Sequence, residues 1–88
     1  MKRWFLYIVE CSDKSLYTGI TTDLKRRVTE HNLGIGAKSV RGKLPVKLVY
    51  SEEFEKQTSV RKREAVIKTW TREYKIKLIT RGLPSKLI

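Results

Sequence analysis

Tyr7 and Tyr17 stand ten positions apart in two short apolar runs, and Arg27 and His31 follow four positions apart. Phenols, a guanidinium and an imidazole are groups that can gather around one phosphate. Arginine offers a planar, permanently charged fork, and tyrosine and histidine both transfer protons. Read singly, each has a plainer use. The tyrosines are core aromatics whose hydroxyls find partners at the surface, Arg27 is a helix surface residue like Arg26, and His31 is a satisfied boundary histidine. The joint pattern is what points to chemistry.

Glu64 is the second signal. On a helical wheel it lies on the apolar side of its segment, one turn after Val60 and three residues before Ile67, with Arg61, Lys62, Arg63 and Lys68 around it. A carboxylate at the edge of a buried face must be paired or bound to a metal, because isolated burial costs several kcal/mol. An ion pair with a basic neighbour and ligation of a cation both satisfy that requirement. One carboxylate plus water suits Mg²⁺, which keeps much of its hydration.

These residues need elements to hold them. Trp4 to Val9 is continuously apolar, as in a strand covered on both faces. Cys11 to Ser15 is turn chemistry, and Leu16 to Ile20 is a second strand. The tight connection makes an antiparallel hairpin in which Tyr7 and Tyr17 fall opposite or nearly opposite one another. Thr22 or Asp23 caps a helix to about Asn32, closed by Gly34. Leu24, Val28 and His31 share one face of it, Arg27 borders that face, and Lys25, Arg26 and Glu30 point to water. Residues 35–44 form a glycine-punctuated basic loop with room for one helical turn, carrying Lys38, Arg41 and Lys43. The pattern then gives a half-exposed strand over Val46–Ser51, a helix from Ser59 to about Trp70 with Val60, Ile67 and Trp70 inward, and a last helix ending before Gly82-Leu83-Pro84. The fold class is mixed α+β, in the order ββαβαα: a small three-stranded antiparallel sheet flanked by helices.

At 88 residues the chain makes one domain, with no room for a second core. Cys11 is the only cysteine, which excludes an intrachain disulfide and a cysteine-based zinc site and fits a reducing compartment. The apolar run Trp4–Val9 is shorter than a signal-peptide core and far short of the roughly 20 residues of a membrane span. The expectation is a soluble cytoplasmic protein. Twenty Lys and Arg against nine Asp and Glu give a net charge of +11, a field that favours polyanions. Nucleic acid is the leading partner. Attachment to an acidic membrane would need a helix with a clean apolar face opposite lysines, and none is present in the pattern.

From Tyr7 to about Trp70 the sequence resembles the GIY-YIG nuclease domain family. Tyr7-Ile8-Val9 is similar to the first half of the family signature and Tyr17-Thr18-Gly19 to the second. The stretch Tyr17 to Leu24 with Arg27 and His31 is more specific. So is His31-Asn32 running into Gly34 to Lys38, Arg41-Gly42, Pro45 and Val49-Tyr50-Ser51. These resemble the small single-domain bacterial branch, and that branch is also similar to the nuclease subunit of eukaryotic structure-specific endonucleases. Glu64 matches the family's metal-binding glutamate. The resemblance implies one nuclease domain over residues 1–88 with its motif-bearing core at about 4–70. It implies phosphodiester hydrolysis with Mg²⁺ or another divalent cation such as Mn²⁺. Arg27 would hold the scissile phosphate, Glu64 the metal, and Tyr7 or Tyr17 would orient or deprotonate the attacking water. His31 would support the phosphate or share the proton transfer. Two positions depart from the pattern. Ser39-Val40 stands where the branch usually has a Tyr-Thr pair, which removes an aromatic able to stack on a base or sugar. The asparagine that larger members carry after the glutamate helix is also missing, Asn32 being the only asparagine.

The expected activity is a metal-dependent endonuclease on DNA, with RNA not excluded, selective for structure rather than sequence and suited to DNA repair or processing. Lys38, Arg41, Lys43, Arg61 and Lys62 are the residues expected on the nucleic-acid backbone, whose contacts make binding fall steeply with salt. A protein partner that supplies specificity is compatible with this reading, and the sequence sets no oligomeric state. The alternative from another class is a non-catalytic nucleic-acid-binding module that keeps the nuclease fold.

Overall fold

The computed structural model describes residues 3–81. Strand β1 (Trp4–Glu10) and strand β2 (Leu16–Thr21) form the expected hairpin, followed by helix α1 (Leu24–Asn32), a 3-10 helix (Lys38–Lys43), strand β3 (Lys47–Phe54) and helices α2 (Gln57–Lys68) and α3 (Arg72–Arg81). The sheet is antiparallel in the order β2-β1-β3. The order ββαβαα and the three-stranded sheet stand as the sequence pattern predicts.

Local chemistry explains where the elements begin and end. Between β1 and β2, Lys14 adopts a left-handed conformation with φ 73° and the Asp13 carboxylate accepts from the Ser15 N–H at 3.0 Å, closing a tight turn. Asp23 rather than Thr22 caps α1, its side chain accepting from the Arg26 N–H at 3.0 Å. Gly34, at φ 79°, ends that helix in a conformation that glycine adopts without strain. Strand β3 runs three residues beyond the expected Ser51, because β1 continues to pair with it as far as Trp4 opposite Phe54. Helix α2 starts two residues before Ser59 and stops at Lys68. Its first three residues, Gln57 to Ser59, are exposed, so the apolar spacing that begins at Val60 gives no sign of where it starts. The expected end of the last helix at Gly82-Leu83-Pro84 lies outside the described residues.

The continuous apolar run of β1 is buried on both sides, as a central strand requires. Leu6 and Ile8 join Tyr50, Val60 and Ile67 on one face of the sheet, with Trp70, Leu78 and Ile79 packed around them. Tyr7 and Val9 join Cys11, Val40 and Val46 on the other, with Tyr17, Leu24 and Val28 alongside. Helices α1 and α2 therefore cover opposite faces. Val40, at the position of the missing Tyr-Thr pair, is a core residue, whereas Ser39 beside it is exposed. Asn32 ties α1 to the start of β3 through both ends of its amide, donating to the Val46 carbonyl at 3.0 Å and accepting from the Val46 N–H at 2.7 Å.

Ile67 is fully buried between α2 and the sheet, so Ile67→Ala should cost about 2–5 kcal/mol in urea unfolding. That is a large part of a domain's typical ~5–15 kcal/mol. Val66→Ala, on the solvent side of the same helix, should stay within roughly 1 kcal/mol.

Candidate functional site

Three of the expected residues meet at one oxygen. The Tyr7 hydroxyl lies 2.8 Å from His31 Nε2, and the Arg27 Nε–H donates to the same oxygen at 3.4 Å. The local fold accounts for this. Tyr7 is on the central strand, facing the side of the sheet that α1 covers. Arg27 and His31 are one turn apart on α1, so both reach the same point. Tyr17 completes the group by ring packing, with its centroid 6.3 Å from that of Tyr7 and 5.5 Å from His31, edge-on to the imidazole. The pairing register places Tyr17 opposite Val9 and Gly19 opposite Tyr7. The two tyrosines are therefore diagonal neighbours on one face, a step the sequence left open.

Two glycines make room for this arrangement. A Cβ on Gly19 would fall 2.6 Å from the Tyr7 hydroxyl oxygen, so the tyrosine ring lies directly over the bare backbone of β2. A Cβ on Gly36 would collide with His31 Nδ1 and come within 2.9 Å of the His31 Cα. The sequence reading used both glycines only as parts of a motif. A glycine paired across the strands from an aromatic would have been a usable sign for Gly19 once the register was known.

The electrostatics follow from burial. Tyr7 and His31 are at most 1% exposed. Burial raises the Tyr7 pKa above the ordinary value near 10, the Arg27 hydrogen bond works against that rise, and the charges of Tyr17 and Glu64 add to it. Burial, and then the positive charge of Arg27, lowers the His31 pKa below its ordinary value near 6.5. Arg27 is held more firmly cationic by its bond to Tyr7 and by Glu30, whose carboxylate accepts from Nη1 at 3.1 Å. Glu30 thus turns to its own helix rather than only to water. Nδ1 of His31 has no partner among the described residues. At neutral pH the group is a neutral phenol, a neutral imidazole and a cation.

Glu64 is brought near but not into contact. It sits on α2, against the opposite face of the sheet, and pairs with Lys68 at 3.2 Å while its side chain is 22% exposed. Its charge nonetheless reaches Tyr7. Arg63, expected around Glu64, instead forks onto Glu52 of β3 with two bonds of 2.9 Å, and its guanidinium lies over the Trp70 ring. Tyr50 donates to the same carboxylate. This network anchors α2, and sequence reasoning missed it. Its sign was Glu52 alternating with buried Tyr50 on a strand face that needs a partner for a carboxylate.

No cluster of three or more His, Cys, Asp or Glu residues able to hold a metal occurs among the described residues. Glu64 alone fits a hard cation that keeps most of its waters and takes one or two carboxylates plus a substrate phosphate. Lys38, Arg41 and Lys43 line the 3-10 helix on the Tyr7 side of the sheet, Lys43 also approaching Asp13 at 3.9 Å. Arg61 and Lys62 are exposed on α2, across the sheet from them.

Gly36→Ala should lower stability by about 1–3 kcal/mol, as overpacking does, and shift the His31 ring resonances in an NMR spectrum. His31 also predicts a pH dependence. Its folded pKa is depressed, so the unfolded chain binds the extra proton first. Its contribution to stability is present above about pH 6.5 and is lost as pH falls through the folded-state pKa. Urea unfolding of the chain and of His31→Gln across pH 4.5–8 should differ in slope within that window.

Comparison with known proteins identifies the family. The family model described as the GIY-YIG catalytic domain matches residues 3–77. A UPF0213 protein of Haloquadratum walsbyi is 55% identical over 78 residues, covering 89% of this chain and 88% of that protein. One of Streptococcus agalactiae is 51% identical over 75 residues, covering 85% of each. The solution NMR structure of a UPF0213 protein from Bacillus halodurans matches with a TM-score of 0.60 at 38% identity, covering 94% of this chain and 89% of the other. That of a protein from E. faecalis matches with the same TM-score at 42% identity, covering 85% and 80%. No described helix is long and apolar enough to cross a membrane. With a family match over most of its length and relatives of about half its sequence, the chain belongs to the GIY-YIG family, a nuclease family.

Proposed function

We propose that this chain is a metal-dependent endonuclease that hydrolyses phosphodiester bonds in DNA, selects structure rather than sequence, and serves DNA repair or processing in the cytoplasm. The observation that carries the reading is the Tyr7 hydroxyl held between Arg27 and His31, with Tyr17 packed beside them. A purely structural tyrosine hydroxyl needs one partner. A cation and an imidazole converging on the same oxygen set up phosphate binding next to a proton-transfer group.

Arg27 spends one N–H on Tyr7 and one on Glu30 and keeps the rest of its fork for a phosphate oxygen. Its charge stabilises the charge that develops as the bond breaks. Neutral His31, with Nε2 2.8 Å from the Tyr7 hydroxyl, fixes its direction and is the acceptor for its proton. The half-buried Tyr17 is the phenol that reaches solvent and orients the attacking water; as Tyr7 below it takes the water's proton, its own O–H proton passes to His31 Nε2. A divalent cation such as Mg²⁺ or Mn²⁺ on Glu64 would supply Lewis acidity at the phosphate and leaving oxygen, and would reverse the carboxylate's unfavourable influence on a Tyr7 phenolate. Lys38, Arg41, Lys43, Arg61 and Lys62 supply backbone contacts. The net charge of +11 supports a polyanionic substrate.

Branched and single-stranded DNA, with RNA in parallel, incubated with the protein in Mg²⁺ or in EDTA tests this. Cleavage should require the metal. Arg27→Ala and Glu64→Ala should each lose about 10²–10³ in rate while DNA binding survives. Wild type and variants cutting alike would overturn the assignment, and binding without cleavage by the wild type would favour a nucleic-acid-binding module.

A further inference from the structure

The end of α1 holds two apolar side chains in the open. The Gly34 N–H donates to the His31 carbonyl at 3.0 Å and the Ile35 N–H to the Glu30 carbonyl at 3.1 Å, the paired bonds of a Schellman cap. In such a cap the residue after the glycine commonly packs on an apolar residue one turn back. Here that position is Glu30, engaged by Arg27, and Ile35 remains 64% exposed. Leu33, just before the glycine, is 68% exposed. Single exposed apolar residues need no explanation. Two on one hydrogen-bonded turn, immediately after the histidine of the candidate site, do.

Their surroundings select the occupant. Arg41 reaches back to the Gly36 carbonyl at 3.5 Å, next to Ile35, and Lys38 is exposed in the same 3-10 helix. A second copy of a chain with net charge +11 would bring cations against cations here. What fits is a partner that presents anions and, between them, flat apolar surface. A nucleic-acid strand with an exposed base does so, and leucine and isoleucine elsewhere act as wedges against unstacked bases.

We propose that Leu33 and Ile35 form an apolar ledge for an unpaired nucleobase, with the adjoining phosphates held by Arg41 and Arg27, and that this ledge sets the preference for branched, nicked or single-stranded DNA. The inference rests on the nucleic-acid reading above and names the substrate feature recognised at that site. The ledge also lies only a few residues before Ser39-Val40, where the Tyr-Thr pair is missing, and supplies an alternative apolar contact.

The test is binding of the full chain in EDTA, so that no strand is cut, to a labelled duplex and to the same duplex carrying a single-stranded flap, at fixed salt. The wild type should favour the flap. Leu33→Ser/Ile35→Ser should lower that preference about five- to tenfold, whereas Arg41→Ala should weaken both DNAs alike and reduce the salt slope by about 1. A thermal melt of the double variant near that of the wild type shows that the fold is intact, as expected for two exposed positions. An unchanged preference in the double variant, or an equal loss on both DNAs, overturns the ledge while leaving the nuclease reading standing. A dimer, or attachment to anionic vesicles, that the double variant abolishes while the DNA preference survives assigns the surface to that partner instead. Wild type that binds neither DNA removes the nucleic-acid reading itself.

Discussion

Everything specific about this molecule converges on the Tyr7 hydroxyl. It lies at the centre of the sheet, almost wholly buried, with the His31 imidazole 2.8 Å away and the Arg27 guanidinium 3.4 Å away. A buried polar group without partners costs roughly 1–3 kcal/mol, so the three residues constrain one another. The histidine needs the phenol, because among the described residues its other nitrogen has nothing. The arginine is steered by the phenol and by Glu30. The close approach exists only because Gly19 and Gly36 lack side chains at the two points where backbone meets ring. On the proposed reading, groups held in this way would need little reorganisation when a phosphate arrives, which is the condition for strong electrostatic stabilisation.

Strand β1 separates this cluster from the element that carries Glu64. Its alternate residues feed two different cores, so α1 and α2 are tied to opposite faces of one rigid strand. On the far face the Glu52–Arg63 fork, with Tyr50 and Trp70 around it, locks α2 to β3. That lock fixes the helix on which Glu64 is placed. A carboxylate at the helix edge, paired with a half-exposed lysine, can exchange that lysine for a cation at small cost, since such partly exposed pairs contribute little.

Much of this was legible in the chain. The continuous apolar run of β1, the turn chemistry at Asp13, the cap at Asp23 and the glycine stop at Gly34 each have a local physical cause, and the structure follows them. Arg27 and His31 were readable as one-turn neighbours and are found on one target. What was not legible depended on partners distant in sequence. The register that sets Gly19 beneath Tyr7 depends on the hairpin turn. The Asn32 clamp on Val46 joins residues 14 apart, and the Glu52–Arg63 fork joins residues 11 apart. The extension of β3 past Ser51 comes from its neighbour's length, not from its own alternation. Glu64 shows both sides of this. The wheel found its half-buried edge, but only the fold shows that Lys68, and not Arg63, is its partner.

The central claim is that Tyr7 and Arg27 act as one unit on the scissile phosphate, and a double-mutant cycle on single-turnover cleavage tests it most directly. Tyr7→Phe, Arg27→Ala and the double variant would be compared with the wild type in Mg²⁺. If the two groups work through the shared hydroxyl, their losses are strongly non-additive and the double variant is about as slow as the slower single one. Losses that simply multiply would show that the two residues act independently and would contradict the account.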